Sequence, residues 1–400
     1  MALKILAISD EHIYPHSLLP RTLIDIIEVA GKSDCEICLV QPGSADQENI
    51  EKFYRVITFT RMPRFFRSFF AKLEKINEPV FKAVVSSLNP KIYRTLFGLA
   101  KSSDLIMCYC IQHSIPALIV ARLTGKPIML VGDILYVAYL RKVRSVNPFL
   151  TRMLSAWEKA VEYLVDEIVV WGPDDKKFLV SSGIRNEKIA VIPLSVDLRK
   201  IETMSRKINT EFFFKKLKAL KDDGFKILMF HGNLNYAPNK SCSDYIVREL
   251  STELFRKRSD VVFAIVGASD SNVAGGDGRI VFTGYVDNLY GHLELADIGV
   301  VPLTAGSGVK NKILEYFALS KPVVTTKIGI ENLNVENMVH CIVTDLGSFS
   351  DKIAFLLKNP ELMTALGRNA KKYVEQNHSF ENYRKYVGLW KYLTEKSKLH

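Results

Sequence analysis

The chain has 400 residues, 48% of them apolar and 24% charged, and a net charge of +11. That length exceeds what one hydrophobic core organises, so two domains of roughly 150–200 residues each are expected. The composition excludes a disordered, collagen-like or disulfide-scaffold chain. The positive charge calls for an anionic partner without choosing among nucleotide, lipid phosphate, membrane surface and nucleic acid.

No apolar run approaches the roughly 18 residues that a spanning helix needs. The opening segment MALKILAISDEH meets an acid after nine residues and reads as a strand. A cytoplasmic protein, at most peripheral to the inner face of the membrane, is therefore expected. Cys35 and Cys38 have C-x-x-C spacing, but they lie in the strand-like CEICLV and no second pair matches them. They are expected to be small buried hydrophobes rather than zinc ligands.

In chain order, LKILAIS (3–9), a helical PRTLIDIIEVAGK (20–32) and CEICLVQ (35–41) form a βαβ signature. It recurs as DLIMCYC (104–110), a helix over 115–124, GKPIMLVGD (125–133), an amphipathic helix over 148–165 and EIVVWG (167–172). Near-continuous Val/Ile/Leu strands of this kind indicate a parallel sheet covered on both faces. After KIAVIPLSVD (188–197) a Lys-rich stretch, TEFFFKKLKALKDDG (210–224), interrupts the alternation. It restarts with FKILMFHG (225–232), VVFAIVGAS (261–269), RIVFTGYV (279–286), a helix over 287–296, IGVVPL (298–303), a helix from about 309 to 320, KPVVTT (321–326) and CIVT (341–344). This pattern predicts an α/β protein of two doubly wound Rossmann-like domains. Their expected spans are 1–205 for the first, 206–224 for a linker and 225–378 for the second. A terminal helix over 379–400 carries Tyr383, Tyr386, Leu389, Trp390 and Leu393 at helical spacing, and it is expected to return to the first domain.

In open α/β sheets ligands bind beyond the carboxyl ends of the strands, so site residues are sought in those loops. The loop after 298–303, TAGSGVKNKILEYFALSKPVV, brings glycines, a serine and lysines to the start of a helix, with Glu315 one turn in. Helix N-terminal N–H groups attract anions, Gly306 and Gly308 allow a phosphate close to the backbone, and Lys310 or Lys312 can add a full charge.

Gly306–Val324 resembles the donor-binding helix of glycosyltransferase family 4, of the GT-B fold. FHGNLNYAPNK (230–240), RIVFTGYV, LADIGVVPL (295–303) and KIAVIPLSVDL (188–198) extend the resemblance over about 188–378. The resemblance implies a GT-B architecture with two domains facing across a cleft, and a retaining transferase that takes a nucleotide-sugar donor. In the family two glutamates with seven residues between them hold the donor, the second bonding the ribose hydroxyls and the first contacting the sugar or phosphate. Glu315 falls on the second; Ser307 stands eight residues before it, where no glutamate is found, and with Lys310 it is the expected substitute, in a GSGVKNK variant of the loop.

The same resemblance places Gly232, Asn239 and Lys240 toward the diphosphate, and Gly306, Ser307, Gly308, Val309, Asn311 and Lys312 around the donor. Gly284, Tyr285 and Val286 would frame the base. Lys240 and Lys310 would stabilise the departing diphosphate by preorganised charge, with no metal or other cofactor required. Asp133 falls where the family sets a polar side chain beside the reacting sugar, and an N-cap is the competing role. Asp10, His12 and His16 are acceptor-side candidates, although the family's glycine pair after the first strand is missing from SDEHIYPHSLLPR.

RMPRFFRSFFAKLEKI (61–76) has five basic residues, one acid and a stripe of phenylalanines. It can lie on an anionic bilayer or bury its rings in the first domain. With YLRKVR (139–144) it motivates a glycan or lipid-linked acceptor. No nucleic-acid-binding motif is present, so nucleic acid is not an expected partner. A dehydrogenase is disfavoured because no G-x-G-x-x-G turn follows a first strand. A nucleotide-sugar epimerase and a nonenzymatic sugar-nucleotide-binding relative remain open alternatives.

Overall fold

A computed structural model describes residues 2–9, 18–42, 54–59, 90–109, 111, 114–132, 148–207, 209–269, 278–306 and 308–399. The chain forms two compact units, one of Met1–Pro193 with Glu381–His400 and the other of Leu194–Phe380.

The first unit runs β1 (Leu3–Ser9), α1 (Leu18–Gly31), β2 (Cys35–Pro42), β3 (Tyr54–Phe59), α2 (Pro90–Ala100), β4 (Leu105–Tyr109), α3 (Ser114–Thr124), β5 (Ile128–Val131), α4 (Pro148–Leu164), β6 (Glu167–Val170), α5 (Pro173–Ser181) and β7 (Ile189–Val191). Its strands form one parallel sheet in the order β3-β2-β1-β4-β5-β6-β7. Every residue of β4, β5 and β6 is buried, as a sheet covered on both faces requires.

The second unit runs α6 (Leu198–Ser205), α7 (Phe212–Asp222), β8 (Lys226–His231), α8 (Ala237–Tyr245), α9 (Ser251–Lys257), β9 (Val261–Val266), β10 (Ile280–Gly284), α10 (Leu289–Glu294), β11 (Ile298–Val301), α11 (Asn311–Ala318), β12 (Val323–Thr325), β13 (Ile342–Val343), α12 (Phe349–Leu357) and α13 (Pro360–Asn377). Its parallel sheet has the order β10-β9-β8-β11-β12-β13. Relabelled from its own first strand this is 3-2-1-4-5-6, the doubly wound nucleotide-binding order.

Three features differ from the sequence expectation. Tyr54–Phe59 forms an edge strand beside β2, although no signal for it stood out in the chain. The stretch 206–224, expected to be a linker, contains α7; its Leu217 is fully buried and it belongs to the second unit. The helix after β11 begins at Asn311, with Lys310 at its N-cap.

The last helix, α14 (Arg384–Ser397), belongs to the first unit and packs against α1 and β4. It buries Tyr386, Trp390 and Leu393, so the helical stripe seen in sequence meets an apolar surface. Cys35 is buried, Cys38 is partly so and neither forms a disulfide; among the described residues no group of His, Cys, Asp or Glu is placed to hold a metal. No described helix is long and apolar enough to cross a membrane.

Candidate functional site

In the second sheet the strand order reverses between β8 and β11, which are hydrogen-bonded neighbours with Ile298 beside Leu228. Loops leaving two such strands run to opposite faces and open a crevice at their carboxyl ends. Here β8 ends at His231 and Gly232, and β11 leads through 302–310 into α11. The side chains discussed below gather at this switch point.

Glu315, on the first turn and a half of α11, is only 4% exposed. Its Oε2 lies 2.8 Å from His231 Nε2, and its Oε1 accepts from the Tyr290 hydroxyl at 3.3 Å. Burial lowers the affinity of His231 for a second proton, and the adjacent Glu315 acts in the opposite direction. The imidazole ring also stands edge-on to Tyr316, whose hydroxyl donates to the Met229 carbonyl at 2.8 Å. Gly299 makes room for that tyrosine, since a Cβ there would lie 2.7 Å from its ring.

One turn before Glu315, Lys312 is enclosed. Its ammonium donates to Asn239 Oδ1 at 2.6 Å and sits 4.2 Å from the centre of the Phe230 ring. Burial pulls its pKa down to about 8, because a desolvated ammonium gives up its proton more readily. The Asn239 amide donates onward to the Asn233 carbonyl at 2.9 Å. Gly232, at φ +150°, passes beside this pair; a Cβ would meet Asn239 Nδ2 at 2.7 Å and Lys312 Nζ at 3.1 Å.

The loop before α11 is shaped by Gly306 at φ +146° and Gly308 at φ +63°, conformations that a side chain disfavours. Lys310 is buried, donates to the Gly308 carbonyl at 2.6 Å and lies 3.7 Å from Glu331 Oε2. Val309 is also buried, and Asn311 starts the helix. The Ile313 N–H is taken by the Lys310 carbonyl at 2.9 Å, and the aligned peptide dipoles of α11 give this helix end a partial positive charge.

Across the neighbouring strands, Gly232 N–H donates to the Val266 carbonyl at 2.9 Å and Gly267 N–H to the Gly284 carbonyl at 3.0 Å. These bonds bring the ends of β8, β9 and β10 into one rim. Beyond Gly284, Val286 is buried while Tyr285 is 47% exposed.

Glu315, Lys312, Asn239 and Gly232 are thus neighbours, with Gly306, Gly308, Val309, Lys310 and Asn311 on the adjoining loop and helix start. Lys240 is not part of that cluster: its side chain is 60% exposed and lies 3.6 Å from Asp244. Ser307, Asp133, Asp10, His12, His16 and the basic segments 61–76 and 139–144 lie outside the described residues. Sequence inspection passed over His231 and Tyr290. A histidine ending a buried strand just before a glycine was the available signal for the first; nothing local marks the second.

The second unit is a Rossmann-like domain by its strand order, and the chain has a GT-B fold. Residues 225–359 match the family model described as glycosyl transferases group 1. Among solved structures, Anabaena Alr3699/HepE in complex with UDP and glucose aligns with a TM-score of 0.69 at 16% identity, over 96% of this chain and 98% of that one. Sucrose-phosphate synthase from Thermosynechococcus elongatus aligns with a TM-score of 0.72 at 15% identity, over 98% and 100%. The E. coli trehalose-6-phosphate protein bound with UDP-2-fluoro glucose gives 0.67 at 11% identity, over 97% and 99%. At these identities the likeness is one of fold. No curated protein matches the chain by sequence.

Proposed function

We propose that this protein is a retaining, metal-independent glycosyltransferase that takes its sugar from a nucleoside-diphosphate donor seated at the β8/β11 switch point. The acceptor we assign is a glycan or a lipid-linked saccharide. The observation that carries the donor assignment is the meeting of Glu315 with Lys312 across one turn of α11, beside a glycine-rich loop and a helix N-terminus. A carboxylate matches the ribose diol, and an ammonium with backbone N–H groups matches a diphosphate.

In the proposed reaction the bond between the sugar's C1 and the β-phosphate oxygen breaks while an acceptor hydroxyl bonds to C1 and passes its proton to the departing phosphate. Negative charge builds on the departing diphosphate. Lys312 and the first N–H groups of α11 supply fixed positive charge there, with Lys310 next to them, and such preorganised charge lowers the barrier without reorganisation. Several fold relatives hold UDP or a UDP-sugar, which puts uridine first among the bases to test.

A thermal-shift panel of UDP, GDP, ADP, CMP and their sugars, with and without EDTA and repeated on Glu315→Ala, tests this. Selective stabilisation that survives EDTA and disappears in the variant is the expected result. No stabilisation by any nucleotide would overturn the assignment. Sugar-nucleotide isomerisation without acceptor would favour an epimerase, and binding without turnover a nonenzymatic relative.

A further inference from the structure

Both oxygens of Glu315 are already engaged inside the protein, by groups on two other elements. His231 approaches Oε2 from the end of β8 and Tyr290 approaches Oε1 from α10. Two contacts from separate elements remove the carboxylate's rotational freedom, which a free glutamate would lose only on binding.

His231 Nδ1 is buried and has no hydrogen-bond partner among the described residues. This selects a tautomer. With the single proton on Nε2, the ring donates to Glu315 and leaves a bare acceptor nitrogen in the core. A doubly protonated ring would instead bury an orphaned N–H, the more costly arrangement. The groups facing the imidazole agree: Tyr316 presents its ring edge from α11, and Lys312, also on α11, is a like charge that opposes protonation.

We propose that His231 is a positioning residue for nucleotide recognition: as a neutral imidazole protonated on Nε2, it donates to the Glu315 carboxylate and fixes its orientation toward the ribose hydroxyls. Tyr290 secures the second oxygen. This inference rests on the assignment of Glu315 to the ribose given above.

The test compares UDP and GDP with their 2′,3′-dideoxy forms by calorimetry on the full chain, for the unaltered protein, His231→Phe, His231→Gln, Glu315→Gln and the double variant His231→Phe/Glu315→Gln. The unaltered protein should prefer the ribose form tenfold or more. His231→Phe keeps a ring beside Tyr316 without a donor and should lose most of that preference, whereas His231→Gln carries a donor near the Nε2 position and should retain most of it. The double variant should be no worse than Glu315→Gln alone, because both changes remove one function. His231→Leu gives the same comparison if His231→Phe does not fold. A preference that persists in His231→Phe, or losses that add in the double variant, would overturn the inference while leaving the Glu315 assignment standing. Absence of any ribose preference in the unaltered protein would overturn both.

Discussion

Lys312 donates to Asn239 across 73 positions of sequence, joining the helix that follows β11 to the helix that follows β8. The two helices leave the strands at the switch point of the sheet, so this one hydrogen bond spans the candidate donor crevice. Its ammonium is held by an amide, and Glu315, one turn on, adds a favourable but secondary charge. The cation therefore remains available to an incoming anion.

Nucleoside-diphosphate binding should weaken as pH rises above about 8, the folded-state pKa of Lys312. The diphosphate favours the charged ammonium, so above that pH binding must take up a proton, and affinity falls by up to about tenfold per pH unit. Calorimetry in buffers of different ionisation enthalpy should show the proton uptake, and Lys312→Met should abolish it. The same residue affects stability with a definite sign. Its folded pKa lies below its ordinary value, so the unfolded chain binds more protons between about 8 and 10.5, and this contribution to stability rises with pH through that window.

Glu162 should make the first unit less stable as pH rises. It is 2% exposed, and burial, followed by repulsion from Glu158, pushes its pKa up to about 8. Between its ordinary value of 4.5 and about 8 the folded chain binds more protons, so stability from this group is fully present below 4.5 and is lost as pH climbs to 8. Glu162→Gln should be near neutral at pH 5 and stabilising at pH 8.5 by about 1–3 kcal/mol. Urea denaturation at the two pH values measures it.

Gly267→Ala should damage both stability and nucleotide binding. Gly267 has φ +144°, and a Cβ would lie 2.1 Å from the Gly232 carbonyl oxygen, so backbone must move on the rim that carries the site. A cost of about 1–3 kcal/mol is expected for such overpacking, with a clear loss of UDP-induced thermal shift. Gly388→Ala, inside α14 with an added methyl that meets nothing within 4 Å, is the control: it should leave nucleotide binding unchanged and raise stability by about 0.5–1 kcal/mol.

Trp390→Ala should destabilise the first unit by about 3–5 kcal/mol, the usual cost of removing a fully buried aromatic side chain. Trp390 is completely buried within the first unit. The variant should show a lowered thermal transition for that unit. Stabilisation of the second unit by nucleotide should persist, since α14 belongs to the first unit and the described site residues to the second.

Much of the fold was legible in the chain because its strands are long apolar runs separated by amphipathic stretches. Runs such as LIMCY and VVFAIV have one physical solution, the centre of a parallel sheet, and their places follow from composition alone. Tyr54–Phe59 was not legible, because an edge strand of mixed polarity has no such signature. The stretch 210–224 misled for a related reason: its lysines suggested solvent, while a single buried Leu217 is enough to dock its helix.

Within the candidate site, the sequence by itself pointed to Glu315, the glycines at 306 and 308, and the lysines of the loop. They are close in the chain, and helical geometry sets Lys312 and Glu315 on one face. Only the tertiary structure decided that His231, 84 residues before Glu315, lies beside it, that Tyr290 reaches its other oxygen, and that Lys312 rather than Lys240 is bonded to Asn239. Those facts depend on which strands neighbour one another. Strand order comes from packing the whole sheet, and no local stretch of residues encodes it.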